Sequence, residues 1–335
     1  MTLRTLLSIT ALPLALFGAH PAAAEAGTDA AATAPAGRGP ALWKVADEDT
    51  TIYLFGTVHV LPKDVVWYTP TIAKAFEASD TLVTEIPMDP ASEAQMAQLS
   101  QTLGVLPEGT TLRSLLTGEQ KQQYEAALAD LGPRIEAQQL AALPAEARAG
   151  YEDAKAKGLV PKPADALAAQ FDRMKPWMVG LTLSILPLTL QGYDLASGTE
   201  KVLLTKTGDK QKDALETAAF QLGIFDGMPQ DAQIAFMMEA ATSMDEGKAM
   251  IDRMVSAWVK GEPEALAEVM NEGLDDPKVA EALLYNRNAN WAEWIGKRLE
   301  TPGTVFVAVG AGHLAGERSV QDYLAKKRIE TTRVK

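Results

Sequence analysis

Thr304-Val-Phe-Val-Ala-Val-Gly-Ala-Gly-His313, close to the C-terminus, and Thr51-Ile-Tyr-Leu-Phe-Gly-Thr-Val-His59, close to the N-terminus, repeat one frame. Each begins with a run of β-branched, aromatic and aliphatic residues that reads as a buried strand. Each ends in Gly-x-x-His, which puts an imidazole just past the strand's C-terminal end. Sites on α/β sheets gather at that edge, because the strand fixes position and the following loop gives access. The third histidine, His20, lies in an N-terminal segment of a different character.

Working outward from the first frame, Leu42–Val45 reads as a strand that pairs with Thr51–Phe55 across the polar turn Asp47–Thr50. A helix over Pro70–Ser79 and a strand over Thr81–Glu85 complete a βαβ unit with a parallel pair. This places the Glu85 strand beside the strand of His59. From about Ser92 to Arg298 the pattern is helical, with helices expected over Gly118–Ala129, Ile135–Ala147, Glu200–Thr207, Ala232–Thr242 and Asp245–Lys260. The apolar stretch Trp177–Leu190, interrupted by Pro187, is too short for a membrane span and reads as a buried helix. A short strand is expected at Asp213–Leu215. The α/β pattern returns with a strand over Gly303–Val309, a helix over Glu317–Ala325 and a strand over Arg328–Val334. The expected fold is α/β: a sheet with parallel βαβ units built from the two chain ends, with a helical insertion over about 92–298.

Composition narrows the function. The chain has 335 residues, a net charge of −13 and no cysteine. Disulfides, thiol catalysis and thiolate metal ligands are excluded. The acidic balance, with no basic block interleaved with aromatics, argues against nucleic acid as a partner. Arg4, the apolar run Leu6–Phe17 and Ala22-Ala-Ala24 form the pattern of a signal peptide over residues 1–24. Residues 25–40 read as a flexible lead-in, and 41–335 as one domain. The expected location is therefore periplasmic or secreted, with no stable membrane insertion after cleavage.

Chemistry concentrates at the strand ends. A single strand-end histidine is most often structural, but two copies in one frame point to a shared site in which His59 and His313 act as metal ligands or general bases. Glu85 closes an apolar strand and is a candidate ligand or acid–base group. Glu216, at a helix start, is a further candidate ligand or base, although the helix dipole alone also favours an acid there. Arg287 and Asn288 can hold a substrate carboxylate or an oxyanion, or equally form a salt bridge and a cap. A His₂-carboxylate set suits Zn²⁺, Mn²⁺, Co²⁺ or Fe²⁺, and such an ion activates water. The chain contains no phosphate-binding Gly-Lys-Ser/Thr loop, no HExxH helix and no Gly-x-Ser-x-Gly elbow.

From Leu42 onward the chain resembles the TraB/PrgY/GumN family, including its secreted GumN-like bacterial members and the animal TIKI proteins. The resemblance rests on Leu42-Trp-Lys-Val45, Leu54–Leu61, Ala75–Val83, Lys175-Pro-Trp-Met178, Gly192-Tyr-Asp194, Leu215-Glu-Thr217, Phe225-Asp-Gly227, Arg287-Asn288 with Trp291, and Phe306–Leu314. It implies an α/β fold shared with ChaN-like haem-binding and erythromycin-esterase-like proteins. The TIKI members are metal-dependent proteases. The family's two Gly-x-x-His histidines fall on His59 and His313, its acidic positions on Glu85 and Glu216, and its Arg-Asn pair on Arg287 and Asn288. The expectation is a metal-dependent hydrolase of peptide type, with Mn²⁺, Co²⁺ or Zn²⁺ on His59, His313 and Glu85 and a peptide or protein as substrate. The alternatives are a non-catalytic peptide- or haem-sequestering protein and a metal-free, esterase-like hydrolase.

Overall fold

The strand Gly303–Gly310 is apolar on both faces, and that property places it inside a sheet. The computed structural model of the chain describes residues 39–272 and 277–335. The expected signal peptide, residues 1–24, and the expected lead-in as far as residue 38 lie outside the described residues. Among the described residues the strands are β1 (Leu42–Ala46), β2 (Thr50–Thr57), β3 (Leu61–Pro62), β4 (Thr81–Thr84), β5 (Tyr193–Asp194), β6 (Gln211–Ala214), β7 (Gly303–Gly310) and β8 (Thr332–Arg333). Six of them form one sheet in the order β6-β4-β7-β2-β1-β8, and β3 pairs with β5 apart from it. The strands β6, β4, β7 and β2 run parallel, whereas β1 is antiparallel to β2 and to β8. The mostly parallel sheet is thus built from the two chain ends.

Alternation along the central strands divides two packed faces. Val305, Val307 and Val309 of β7 join Ile52, Leu54 and Val83 against Trp291, Ile295 and Leu324 from the helices Asn286–Arg298 and Val320–Lys326. On the opposite face Phe306 meets Phe55 and Phe76 with ring centroids 5.7 and 5.2 Å apart, and Trp67 stacks on Phe55 at 5.6 Å. Full burial of each such side chain stabilises the fold by about 1.5–3 kcal/mol. A strand with this demand on both faces takes the middle of a parallel sheet.

The same demand corrects one sequence expectation. The Glu85 strand does not lie beside the His59 strand: β7 is inserted between them, pairing with β2 on one side and β4 on the other. The two Gly-x-x-His frames sit side by side instead, with Gly56 opposite Val309 and Thr57 opposite Gly310. Gly56 is required there, since a Cβ on it would come within 2.9 Å of the Ala311 Cα.

The chain divides into two compact units. The first holds the described residues as far as Leu99, then Tyr193–Ile224 and Ala249–Lys335, and carries the sheet. The second, Ser100–Gly192 and Phe225–Lys248, is helical. Within it the helix Pro176–Thr189 is buried along almost its whole length, as its apolar sequence requires. The expected break between Ala129 and Ile135 does not occur. The helix Gly118–Ala142 runs through Pro133, because the packing of Tyr124, Leu128 and Leu131 outweighs the missing backbone donor. Lys175 and Trp177 of the motif Lys175-Pro-Trp-Met178 both reach Asp226 Oδ1, at 2.6 and 3.0 Å, so these motif residues tie the two chain segments of the second unit to each other. Among the described residues no helix is long and apolar enough to cross a membrane.

Candidate functional site

Four parallel strands end at one edge of the first unit, and the residues that follow them are polar in succession. Across the sheet from β6 to β2 they are Glu216, Glu85, His313 and His59. Two further elements cover this edge. A single π-helical turn, Glu281–Tyr285, leads into the helix Asn286–Arg298, which carries Arg287, Asn288 and Trp291. Such turns recur at functional sites because they re-aim side chains.

Arg287 is the centre of one cluster and has no exposed side-chain surface. Its Nε and Nη2 meet the two oxygens of Glu216, each at 2.8 Å, while Nη2 also donates to Glu85 Oε2 at 2.7 Å. Gln221 Nε2 bridges the same carboxylates, at 2.8 Å from Glu85 and 3.1 Å from Glu216. Glu85 Oε1 accepts the Gly310 amide at 2.7 Å, and Glu216 Oε1 accepts the indole N–H of Trp291 at 2.9 Å. Burial pulls the Arg287 pKa down, but the facing Glu85 and Glu216 carboxylates outweigh it and raise it overall.

His313, also fully buried, is held from both ring nitrogens. Its Nδ1 lies 2.6 Å from Asn288 Oδ1, and Asn288 Nδ2 donates to the Arg318 carbonyl at 2.8 Å, which fixes which end of the amide faces the ring. Nδ1 is therefore the protonated nitrogen, and Nε2 accepts from Arg287 Nη1 at 3.1 Å. Arg318 adopts φ 57°, an uncommon conformation for an arginine, and its guanidinium is anchored by both oxygens of Glu281 at 2.7 and 2.9 Å. Trp291 packs on the imidazole with centroids 4.2 Å apart.

His59 has a different environment. Its Nδ1 makes an ion-pair contact of 2.5 Å with Glu200 Oε1, and the two side chains are 10% and 5% exposed. Its Nε2 is buried without a hydrogen-bond partner. The start of the helix Thr199–Thr205 is pinned to the strand end: the Val58 amide donates to Thr199 Oγ1 at 2.9 Å, and the Thr199 amide donates to the Val58 carbonyl at 3.0 Å. Gly198 is obligatory in this docking, because a Cβ there would lie 2.2 Å from the His59 carbonyl oxygen. Burial pulls the His59 pKa down, yet Glu200, with help from Glu85, raises it above its ordinary value. Burial pushes Glu200 up, but His59 reverses this, and the nearby Thr57 hydroxyl adds to the effect, so its carboxyl lies below the ordinary range.

The sequence-predicted residues thus separate into two groups. Glu85, Glu216, Arg287, Asn288 and His313 form one buried network, with Arg287 and Asn288 directed into it. His59 pairs with Glu200, which the sequence marked only as the first residue of an expected helix. Glu85 and His313 do not fit a divalent metal as they stand: the Glu85 oxygens receive Arg287 and the Gly310 amide, and His313 Nε2 receives Arg287. Among the described residues no three of His, Asp and Glu are grouped to hold a metal ion.

A mostly parallel sheet with polar residues after four adjacent strands defines an α/β protein, with the candidate site at the sheet's carboxyl edge. The chain belongs to the TraB/PrgY/gumN family, whose family model matches residues 41–333. It is similar to an uncharacterized protein of Treponema pallidum (strain Nichols), 20% identical over 302 residues that cover 86% of this chain and 80% of that one. It is also similar to the uncharacterized protein YbaP of Escherichia coli (strain K12) and of Shigella flexneri, 25% identical in each case over 160 residues. These matches cover 46% of this chain and 58% of either YbaP. No solved structure matches the chain.

Proposed function

We propose that the protein hydrolyses peptide or ester bonds, with His59 as its acid–base group and Glu200 as the residue that orients it. One observation carries the reading: a strand-end imidazole whose Nδ1 rests on a buried carboxylate while its Nε2 has no partner. An unpartnered polar atom in a buried setting costs about 1–3 kcal/mol, so its retention calls for a reason, and a catalytic role is one. In the proposed reaction His59 Nε2 takes a proton from water as the water oxygen attacks the substrate carbonyl carbon. The imidazolium then gives that proton to the leaving nitrogen or oxygen as its bond to carbon breaks, releasing a carboxylic acid and an amine or alcohol. Glu200 stabilises the imidazolium in between. The raised pKa of His59 suits a group that must keep the proton until the leaving group accepts it.

Family membership supports a peptide or protein as substrate, through the proteolytic activity of the TIKI relatives. The basic, apolar and small-residue pattern of residues 1–24 supports a periplasmic or secreted location. The test is cleavage of a peptide library by wild type and His59→Gln, each with and without a chelator. Loss of cleavage in His59→Gln, with wild type insensitive to chelation, is the expected result. Equal cleavage by the two proteins would refute the role of His59.

A further inference from the structure

We propose that Arg287 is the resident cation of the strand-end cluster, its guanidinium holding the place that a divalent metal would need between Glu85, Glu216 and His313. A guanidinium carries five N–H donors in a rigid fork. In this cluster they are matched by five acceptors: Glu216 Oε1, Glu216 Oε2, Glu85 Oε2, His313 Nε2 and the Leu283 carbonyl, at 2.7–3.1 Å. The Trp291 ring lies against the same guanidinium, 4.8 Å from its carbon.

The atoms a metal would require are those already engaged. His313 offers lone-pair density only at Nε2, because its Nδ1 proton is directed at Asn288, and Nε2 accepts from Arg287. Glu85 Oε2 and both Glu216 oxygens also face Arg287. A second cation brought to these atoms would meet the guanidinium at close range in a poorly screened interior. The tethers are firm on every side: Gly310 and Gln221 hold Glu85, Trp291 and Gln221 hold Glu216, and Asn288 holds His313. The cluster is therefore a permanent electrostatic support for the edge on which His59 works, and it keeps this form without added metal.

The test reads metal retention and thermal stability, so its outcome is independent of whether the hydrolase reading holds. The full chain, stripped with EDTA, is incubated with Mn²⁺, Co²⁺ or Zn²⁺ and desalted, and retained metal is measured for wild type, Glu85→Gln and His313→Gln. Equal retention by all three proteins is expected; metal held by wild type and lost from either variant would overturn the proposal. A second reading does not depend on those buried substitutions. In His59→Gln, which leaves the cluster intact, the same ions in excess should not move the thermal midpoint, whereas binding within the cluster would raise it by several degrees. Such a rise would also overturn the proposal.

Discussion

Replacing Arg287 by methionine keeps most of the side-chain volume and removes the charge. The cost follows from what remains. Glu85 and Glu216 are 2% and 7% exposed and both lose their cation. Removing one partner of a buried ion pair costs about 3–5 kcal/mol, and serving two carboxylates puts Arg287 at the upper end of that range. His313 Nε2 and the Leu283 carbonyl each lose a donor, at about 1 kcal/mol apiece. The Gly310, Gln221 and Trp291 donors remain and prevent a larger penalty. The expected loss is about 7 kcal/mol, much of the 5–15 kcal/mol that typically separates a native domain from its unfolded state. Urea unfolding followed by circular dichroism measures it. Adding Glu216→Gln to Arg287→Met should recover part of the loss, since one unpaired charge goes with it. A loss below about 1 kcal/mol would refute the reasoning, because it would mean that the carboxylates are not buried against this cation.

Three further outcomes follow from the geometry. Gly198→Ala must separate the helix Thr199–Thr205 from the His59 carbonyl and should destabilise by about 1–3 kcal/mol, together with loss of cleavage; unchanged unfolding would contradict the close approach. Trp258→Phe removes the 2.7 Å hydrogen bond to the Gly56 carbonyl and should cost about 1 kcal/mol in the same assay. The stability difference between wild type and His59→Gln should depend on pH. The raised pKa of His59 gives a contribution that is complete below its unfolded value and is lost as pH rises through the folded value. The lowered pKa of Glu200 gives one present above its unfolded value and lost as pH falls through the folded value. The difference should therefore peak between the ordinary glutamate and histidine values of 4.5 and 6.5, which unfolding at a series of pH values checks.

The fold was legible where local pattern decides it. β7 declares itself as a central strand because Val305, Phe306, Val307 and Val309 leave neither face polar, and the helix Pro176–Thr189 declares itself as buried in the same way. Strand order was not legible in the N-terminal half: β2 and β4 follow each other in the chain, but the partner between them arrives some 220 residues later. The site shows the same division. Glycine before histidine marked the strand ends, and the acids after β4 and β6 could be placed on the same edge. The contacts that separate His59 from His313 could not be read, because Glu200 lies 141 positions from His59 and Arg287 lies 202 from Glu85. Two identical frames thus carry imidazoles in different states, one bonded at both nitrogens and one with Nε2 unpartnered.

The pairing of His59 with Glu200 is the centre of this account, and the pH dependence of kcat/KM on a cleaved peptide tests it most directly. Wild type should lose activity on the acid side as His59 gains its proton, with a midpoint above 6.5. In Glu200→Gln the charge that raises the imidazole pKa is gone, and the acid limb should move to lower pH. Superimposable acid limbs in the two proteins would contradict the claim that this pair does the chemistry.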